Sequence, residues 1–181
     1  MGIFSKLFGR KPEPEAAAEP VAAPKEPKAE TAKTSYKVAG ISFRRDAVLR
    51  LAEENPDWAL SKSQMIRKRL ETVYRYQFRI QQAELVPEPD NPEDPKSIKV
   101  IMDGEHIGYI KSGNCARILN LMEAGAIVSI SGQITGGPWK GFPDFAGDID
   151  DPDDRNDLKD YDLQVFPDAE FGAKVTIVKR N

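Results

Sequence analysis

The sequence predicts a mainly β fold in which antiparallel strands close into a small barrel and short helices pack on it. Several short segments alternate apolar and polar residues, as half-buried strands do. Asp103-Gly104 is a strong turn signal between two of these segments. The helical patterns are short, which fits a barrel with helices across its ends better than a parallel α/β sheet.

Length and composition limit the classes of protein. A chain of 181 residues with 40% hydrophobic and 30% charged content allows one core of ordinary size and some unpacked chain. Cys115 is the only cysteine, so an intrachain disulfide is excluded and a reducing, cytoplasmic location is expected. No run approaches the roughly 18 apolar residues of a membrane-spanning helix, so no integral membrane association is expected.

Charge is distributed unevenly although the net charge is only -3. Residues 37–79 carry ten Lys/Arg against five Asp/Glu, whereas residues 141–181 carry five against eleven. Nucleic-acid binding would therefore depend on a local basic patch rather than on the charge of the whole chain.

We predict three regions along the chain. Residues 1–11 form a short amphipathic turn, either a surface anchor or a frayed start. Residues 12–35 are rich in Pro, Ala, Glu and Lys and predict a disordered linker. Residues 36–181 form the barrel domain, with a helical insertion at 46–70 and an acidic loop at 144–160.

The first half of the domain is predicted to start with a strand over residues 36–43. The insertion holds two helices, the first capped by Asp46 and stopped at Asn55-Pro56, the second capped by Ser61 with Gln64 at capping-box spacing. Residues 73–87 predict the clearest strand. Its alternating aromatic and Arg residues fit either a barrel core with a solvated face or a single-strand stacking platform.

The middle of the chain combines a stiff acidic loop with a hairpin. Pro87, Pro89, Pro92 and Pro95 fix φ at four places in residues 87–95, so the loop is either a recognition loop or a rigid connection. A hairpin turning at residues 103–104 follows, with a bulge or close backbone approach expected where a glycine interrupts its second strand. A helix is expected from about residue 113.

The last part of the chain is predicted to hold one strand from Ala126, a Gly-rich loop around Trp139 and two closing strands. Eight Asp lie between residues 144 and 160. Counted from Asp148 as an EF-hand loop, Asp153 stands where Gly is needed and Lys159 where Glu is needed, so a solvated acidic loop is predicted instead of a calcium site.

The text EPDNPEDPKSIKV, followed by HIGYIK and the ILNLM helix, resembles the HIRAN family, small modules found alone in bacteria and phages or fused to remodelling enzymes. VAGISF matches the family's opening strand, so the resemblance runs from about residue 38 to residue 135. It implies an OB-like or SH3-like antiparallel barrel that binds DNA, holding the 3′ end of a single strand.

The resemblance also implies roles for particular residues. Asn91 and Asp94 match the loop that meets the strand end, and Phe43 matches a stacking aromatic. Tyr109 stands where such members can have His, and Glu93 stands in place of the second aromatic. The candidate nucleic-acid-binding residues are Phe43, Arg44, Arg45, Arg75, Asn91, Asp94, Tyr109 and Lys111, with the cations meeting phosphates.

Two functions remain open. There is no GxxxxGK[ST] loop and His106 is the only histidine, so we expect neither an enzyme, a metal site nor a cofactor. The first hypothesis is a module that binds single-stranded DNA or DNA ends in a repair- or replication-linked role. The alternative is a protein-interaction adaptor that uses the barrel and acidic loops, tethered by the N-terminal segment.

Overall fold

The computed structural model describes residues 30–180 of the chain. The amphipathic turn predicted at 1–11 and most of the linker predicted at 12–35 lie outside the described residues. The first strand covers Thr31–Ala39, so the predicted start of folded structure at residue 36 is too late. Residues 31–37 pair antiparallel with the last strand, and that distant pairing forms a strand from a stretch with a polar composition.

The described residues form eleven strands and four α-helices, joined by single turns of 3-10 helix. The strands are β1 Thr31–Ala39, β2 Ala52–Glu54, β3 Thr72–Tyr74, β4 Tyr76–Phe78, β5 Ala83–Pro87, β6 Ile98–Met102, β7 Glu105–Ile110, β8 Ile127–Gly136, β9 Trp139–Gly141, β10 Gln164–Phe166 and β11 Phe171–Arg180. The helices are α1 Arg45–Arg50, α2 Lys62–Arg67, α3 Ser112–Glu123 and α4 Pro152–Asp157, and the 3-10 turns are Ile41–Arg44, Pro56–Ala59 and Leu158–Asp160.

Six antiparallel strands form the main sheet in the order β5-β6-β7-β1-β11-β8. The sheet curls until it is nearly closed, which confirms the predicted mainly β barrel with short helices. Its interior is filled by alternate residues of the strands and by one face of α3, including the fully buried Ile98, Val100, Ile107, Ile118 and Val175. This apolar core is the main stabilising feature of the fold.

The β6–β7 hairpin has the predicted turn and the predicted irregularity. Asp103 and Gly104 both have positive φ, 45° and 84°, as a tight two-residue hairpin turn requires. Further along β7, Gly108 has φ 152° and the register with β6 shifts beside it. An added Cβ on Gly108 would lie 2.4 Å from the carbonyl oxygen of Ala39, so the glycine allows β1 to approach.

The insertion holds less helix than predicted. Ser61 caps α2 and exchanges hydrogen bonds with Gln64 in a capping box, which confirms that prediction. Asp46 is wrong as the cap of α1, because Arg44 is at the N-cap and Asp46 lies in the first turn. The predicted helix to Asn55 is also wrong, because α1 ends at Arg50 and residues 52–54 pair with β4.

The long strand predicted over residues 73–87 is divided into β3, β4 and β5. The break lies at Arg75, whose backbone N–H donates to the carbonyl of Pro138 at 2.8 Å. Its own carbonyl accepts from the N–H of Asn55 at 2.8 Å. Tyr76 and Phe78 pack on the barrel core against Phe171, so this apolar face belongs mainly to the core.

A second, smaller core joins the insertion to the acidic segment. Its buried residues come from α2, β3 and residues 142–158, and they are Met65, Ile66, Val73, Phe142, Ile149 and Leu158. The predicted solvated loop at 144–160 therefore contains α4 and a 3-10 turn, with Asp151 capping α4 and accepting from the N–H of Asp153 at 2.8 Å. The buried side chains of Ile149 and Leu158 hold the segment, while most of its carboxylates stay exposed.

Among residues 30–180, no helix is both long and apolar enough to cross a membrane.

Candidate nucleic-acid interface

Two open grooves lie along β7, one beside its start and the other beside its end. The Phe43 groove, about 390 Å³, is lined by Ser42, Phe43, Arg44, Arg45, Asp46, Ala47, Arg50, Glu105 and His106. The Asp94 groove, about 410 Å³, is lined by Ala39, Asn91, Glu93, Asp94, Ser97, Tyr109, Ile110, Lys111 and Ser112. The Phe43 groove lies between α1 with its preceding turn and the start of β7, and the Asp94 groove lies between the proline loop and the end of β7.

The bulge at Gly108 determines which side chains line these grooves. His106 pairs with Ile101 and Tyr109 pairs with Lys99, two residues apart on β6. Because alternate residues of a strand share a face, the bulge brings His106 and Tyr109 to the same face. Their rings contact edge to face with centroids 4.8 Å apart. This contact joins one residue of the Phe43 groove to one residue of the Asp94 groove.

Phe43 is the most exposed large apolar side chain in the described residues, at 89% exposure. It lies in the turn Ile41–Arg44, which follows β1 after Gly40, a residue with φ 74°. The 3-10 turn places Phe43 at the rim of its groove rather than in the core. An aromatic face presented to solvent in this way is available for stacking on a base.

The proline loop is organised by the side chain of Asn91. Its Oδ1 accepts from the backbone N–H of Glu93 at 3.0 Å and of Asp94 at 3.4 Å, and its Nδ2 donates to Ser97 Oγ at 3.1 Å. Asp94 Oδ1 accepts from the N–H of Lys96 at 3.0 Å. These bonds are Asx turns, which hold Asp94 half-buried in the groove while Glu93 stays exposed.

Two ion pairs frame the grooves. Lys99 pairs with Glu88, and the pKa of Glu88 is lowered, first by the hydrogen bond from Lys99 and further by Tyr109 and Asn91. Arg50 donates two hydrogen bonds to Glu105, at 2.8 and 2.7 Å, and this contact lowers the pKa of Glu105. All four groups are therefore charged at neutral pH.

The remaining charges differ between the two grooves. Within the described residues, Arg44 and Arg45 make no ion pair in the Phe43 groove, where Asp46 is the unpaired anion. In the Asp94 groove Lys111 stands against Glu93 and Asp94. The Phe43 groove therefore has a positive excess and the Asp94 groove a negative one, which favours a phosphate in the first and a neutral hydroxyl donor in the second.

Seven of the eight candidate residues lie in these two grooves, and the eighth does not. Arg75 is ion-paired with Glu54 at 3.6 Å and lies over the ring of Tyr76 at 5.3 Å, beside β4. Two residues that the sequence did not assign to the interface, His106 and Arg50, line the Phe43 groove, and Lys99 pairs in the sheet with Tyr109 of the Asp94 groove. Only the hairpin periodicity with its bulge at Gly108 could have indicated that His106 and Tyr109 share a face.

In the described residues, no three His, Cys, Asp or Glu side chains come together as metal ligands.

The fold and grooves define a small β-barrel module with an aromatic and cationic surface beside a stiff acidic loop. The family model of the HIRAN domain matches residues 65–140, which confirms the HIRAN resemblance. Residues 65–140 therefore match a HIRAN domain, and that domain implies DNA binding. The match includes the proline loop, the hairpin and α3, while the turn with Phe43 precedes it. Comparison with curated proteins and with solved structures gave no match.

Proposed function

We propose that this protein is a non-catalytic cytoplasmic module that binds single-stranded DNA, with the 3′ end in the Asp94 groove, in a role linked to repair or replication. The observation that carries the proposal is the ring contact between His106 of the Phe43 groove and Tyr109 of the Asp94 groove. Together the two neighbouring grooves offer an aromatic for a base, cations for phosphates and a carboxylate for a terminal hydroxyl.

Each part of this surface suits one part of a strand. Phe43 stacks on a base, a contact worth about 1–3 kcal/mol in single-strand binders. Arg44, Arg45 and Lys111 meet backbone phosphates. Asp94, positioned by Asn91, accepts a hydrogen bond from the 3′ hydroxyl, as the family resemblance implies. A 3′ phosphate in the same place would meet two carboxylates, Glu93 and Asp94, and be repelled.

Arg75 contributes least in this proposal. Its guanidinium is paired with Glu54 and lies away from both grooves. Arg75→Gln therefore serves as a matched control for Arg44→Gln, since both changes remove one positive charge from the same chain.

The test is a fluorescence-anisotropy titration of a short 5′-labelled oligo(dT), ending in a free 3′ hydroxyl or a 3′ phosphate, at several salt concentrations. We expect binding that weakens steeply with salt and favours the free end. Phe43→Ala should weaken binding by about tenfold or more, and Tyr74→Ala, another exposed aromatic, should leave it unchanged. Absence of binding at low salt contradicts the proposal, while equal affinity for both ends removes only the end-reading part.

One observation favours a second function. The carboxylates of α4 and the residues around it are exposed on the second core, away from both grooves. Such a surface suits a basic protein partner. An adaptor would retain its partners in a pull-down after nuclease treatment, and it would lose them when Asp150, Asp153 and Asp157 are changed to Asn.

A further inference from the structure

His106 lies in the Phe43 groove beside Tyr109 of the other groove, and the proposed function gives it no role. It lines the Phe43 groove together with Phe43 and Arg44, and its ring contacts Tyr109 of the Asp94 groove. The side chain is half-buried in β7. A strand that crosses from one groove to the other passes this ring.

The hydrogen bonding of the ring fixes its tautomer. His106 Nε2 lies 3.1 Å from the carbonyl oxygen of Gly108. A carbonyl only accepts, so Nε2 carries the hydrogen and Nδ1 is bare in the neutral ring. Among residues 30–180, no side chain or backbone group bonds Nδ1, and no buried side-chain nitrogen or oxygen lacks a partner. Nδ1 therefore faces solvent rather than the interior.

Several charged groups surround this ring. Arg44 approaches from the turn before α1, Lys99 with its partner Glu88 from β6 and the proline loop, and Arg50 with its partner Glu105 from α1 and β7. Asp46 completes the groove. Burial and then Arg44 lower the pKa of His106, so the ring is neutral at pH 7 in the free protein.

An anion in the Phe43 groove favours the protonated form of the His106 ring over the neutral form. A phosphate oxygen facing a bare Nδ1 meets a lone pair, whereas a protonated Nδ1 donates a charge-assisted hydrogen bond to it. A phosphate therefore stabilises the protonated ring and offsets the unfavourable effect of Arg44. Arg44 donates to the same anion with no competing ion pair in the described residues.

We propose that the Phe43 groove is a phosphate subsite in which Arg44 and Nδ1 of a protonated His106 donate to one backbone phosphate of the bound strand. The inference rests on the proposed function and adds to it a second anchor point. Binding takes up one proton from solvent, which forms the Nδ1–H bond, and no bond of the nucleic acid changes.

The test measures the affinity of the full chain for short oligo(dT) between about pH 5.5 and pH 8, since thymine does not titrate there and His does. We expect affinity to rise as pH falls, by up to about tenfold per pH unit for one proton. Calorimetry near pH 6.5 in buffers of different ionisation enthalpy should show proton uptake on binding. Circular dichroism confirms that the protein stays folded over the range.

Matched variants separate this role from general electrostatics. His106→Gln keeps a donor for the Gly108 carbonyl and cannot be charged, so its affinity should show no rise at low pH. His106→Arg should bind tightly at every pH. Lys111→Gln should lower affinity by a similar factor at every pH.

The two proposals fail in different ways. If oligo(dT) does not bind at any pH, the proposed function is wrong. If it binds with an affinity that does not depend on pH, or if His106→Gln keeps the rise at low pH, the phosphate subsite at His106 is wrong and single-strand binding stands.

Discussion

At the scale of single residues, Gly108 has the widest effect on the interface. Its φ of 152° makes the bulge that turns Tyr109 to the side of His106, and its missing side chain leaves room for the Ala39 carbonyl. These two requirements differ, since the first is conformational and the second is steric. A single glycine therefore shapes the groove wall and allows β1 to pair with β7.

Gly108→Ala should reduce the free energy of unfolding by about 2 kcal/mol or more, because the new Cβ meets the Ala39 carbonyl and the backbone conformation is strained. Gly113→Ala is the control. It lies in the first turn of α3 with open space around it, and it should stabilise by up to about 1 kcal/mol. Urea denaturation measures both, and equal stability of the two variants would contradict this account of Gly108.

Asn91→Ala should weaken oligonucleotide binding although Asn91 need not touch DNA. The change removes the acceptor for the backbone N–H groups of Glu93 and Asp94, so Asp94 is no longer held in place. We expect a loss of stability of about 1 kcal/mol and a reduced preference for a free 3′ hydroxyl. Asn120→Ala, on the exposed face of α3, is the control for stability and binding. An unchanged end preference would show that the Asn91 amide does not position Asp94.

At the scale of elements, hydrogen bonds between distant segments determine where helices and strands end. Local signals correctly predicted the capping box at Ser61 and the hairpin turn at residues 103–104, because each depends on adjacent residues. The break at Arg75 depends on Pro138, and the end of α1 is followed by a strand that pairs with β4. Periodicity alone does not contain such contacts, so these boundaries could not be predicted from the sequence.

The buried side chain of Lys140 connects two elements through hydrogen bonds to backbone carbonyls. It is 7% exposed, and its ammonium donates to the carbonyls of Trp58 at 2.6 Å and Leu60 at 2.5 Å. Burial lowers its pKa, and no carboxylate in the described residues pairs with it. The lysine joins β9 to the 3-10 turn that leads into α2.

Lys140→Met should therefore destabilise the protein by about 1–3 kcal/mol, because the change leaves two carbonyls without their donor. Thermal unfolding is the measurement, and Lys174→Met, an exposed lysine of β11, is the control. Since Lys140 bonds to Trp58 and Leu60, which pack against the second core, binding of oligonucleotide by the folded variant should be unaffected. A change in affinity would place the second core in the interface.

At the scale of the whole molecule, the barrel core and the second core support different surfaces. The barrel carries both grooves, and the second core carries the acidic segment. The sequence predicted the barrel because the strand patterns are local in the chain, and seven of its eight candidate binding residues line the two grooves. The second core brings α2 and β3 into contact with residues 142–158. These segments lie far apart in the chain, and no pattern in the sequence reveals their contact.

Acid should destabilise the protein by protonating the ion-paired carboxylates of Glu88 and Glu105. The pKa values of Glu88 and Glu105 are lowered from 4.5 by Lys99 and Arg50, so the folded state binds fewer protons than the unfolded state. Their stabilisation is present above pH 4.5 and is lost as pH falls through the lowered values. Glu88→Gln with Glu105→Gln should be less stable at neutral pH and show a shallower acid decline in urea midpoints than Glu123→Gln. Identical pH profiles would exclude these pairs as the cause.

The pairing of β1 with β11 has a consequence for how this domain can be rebuilt. Thr31 and Arg180 are direct partners in the register, so the two ends of the described chain are one strand spacing apart, about 5 Å. A circular permutant that joins residue 180 to residue 31 through a short linker and opens at the residue 103–104 turn would keep the strand order. For the same reason the domain can be inserted into a surface loop of a host protein, with entry and exit at a single point and both grooves left open.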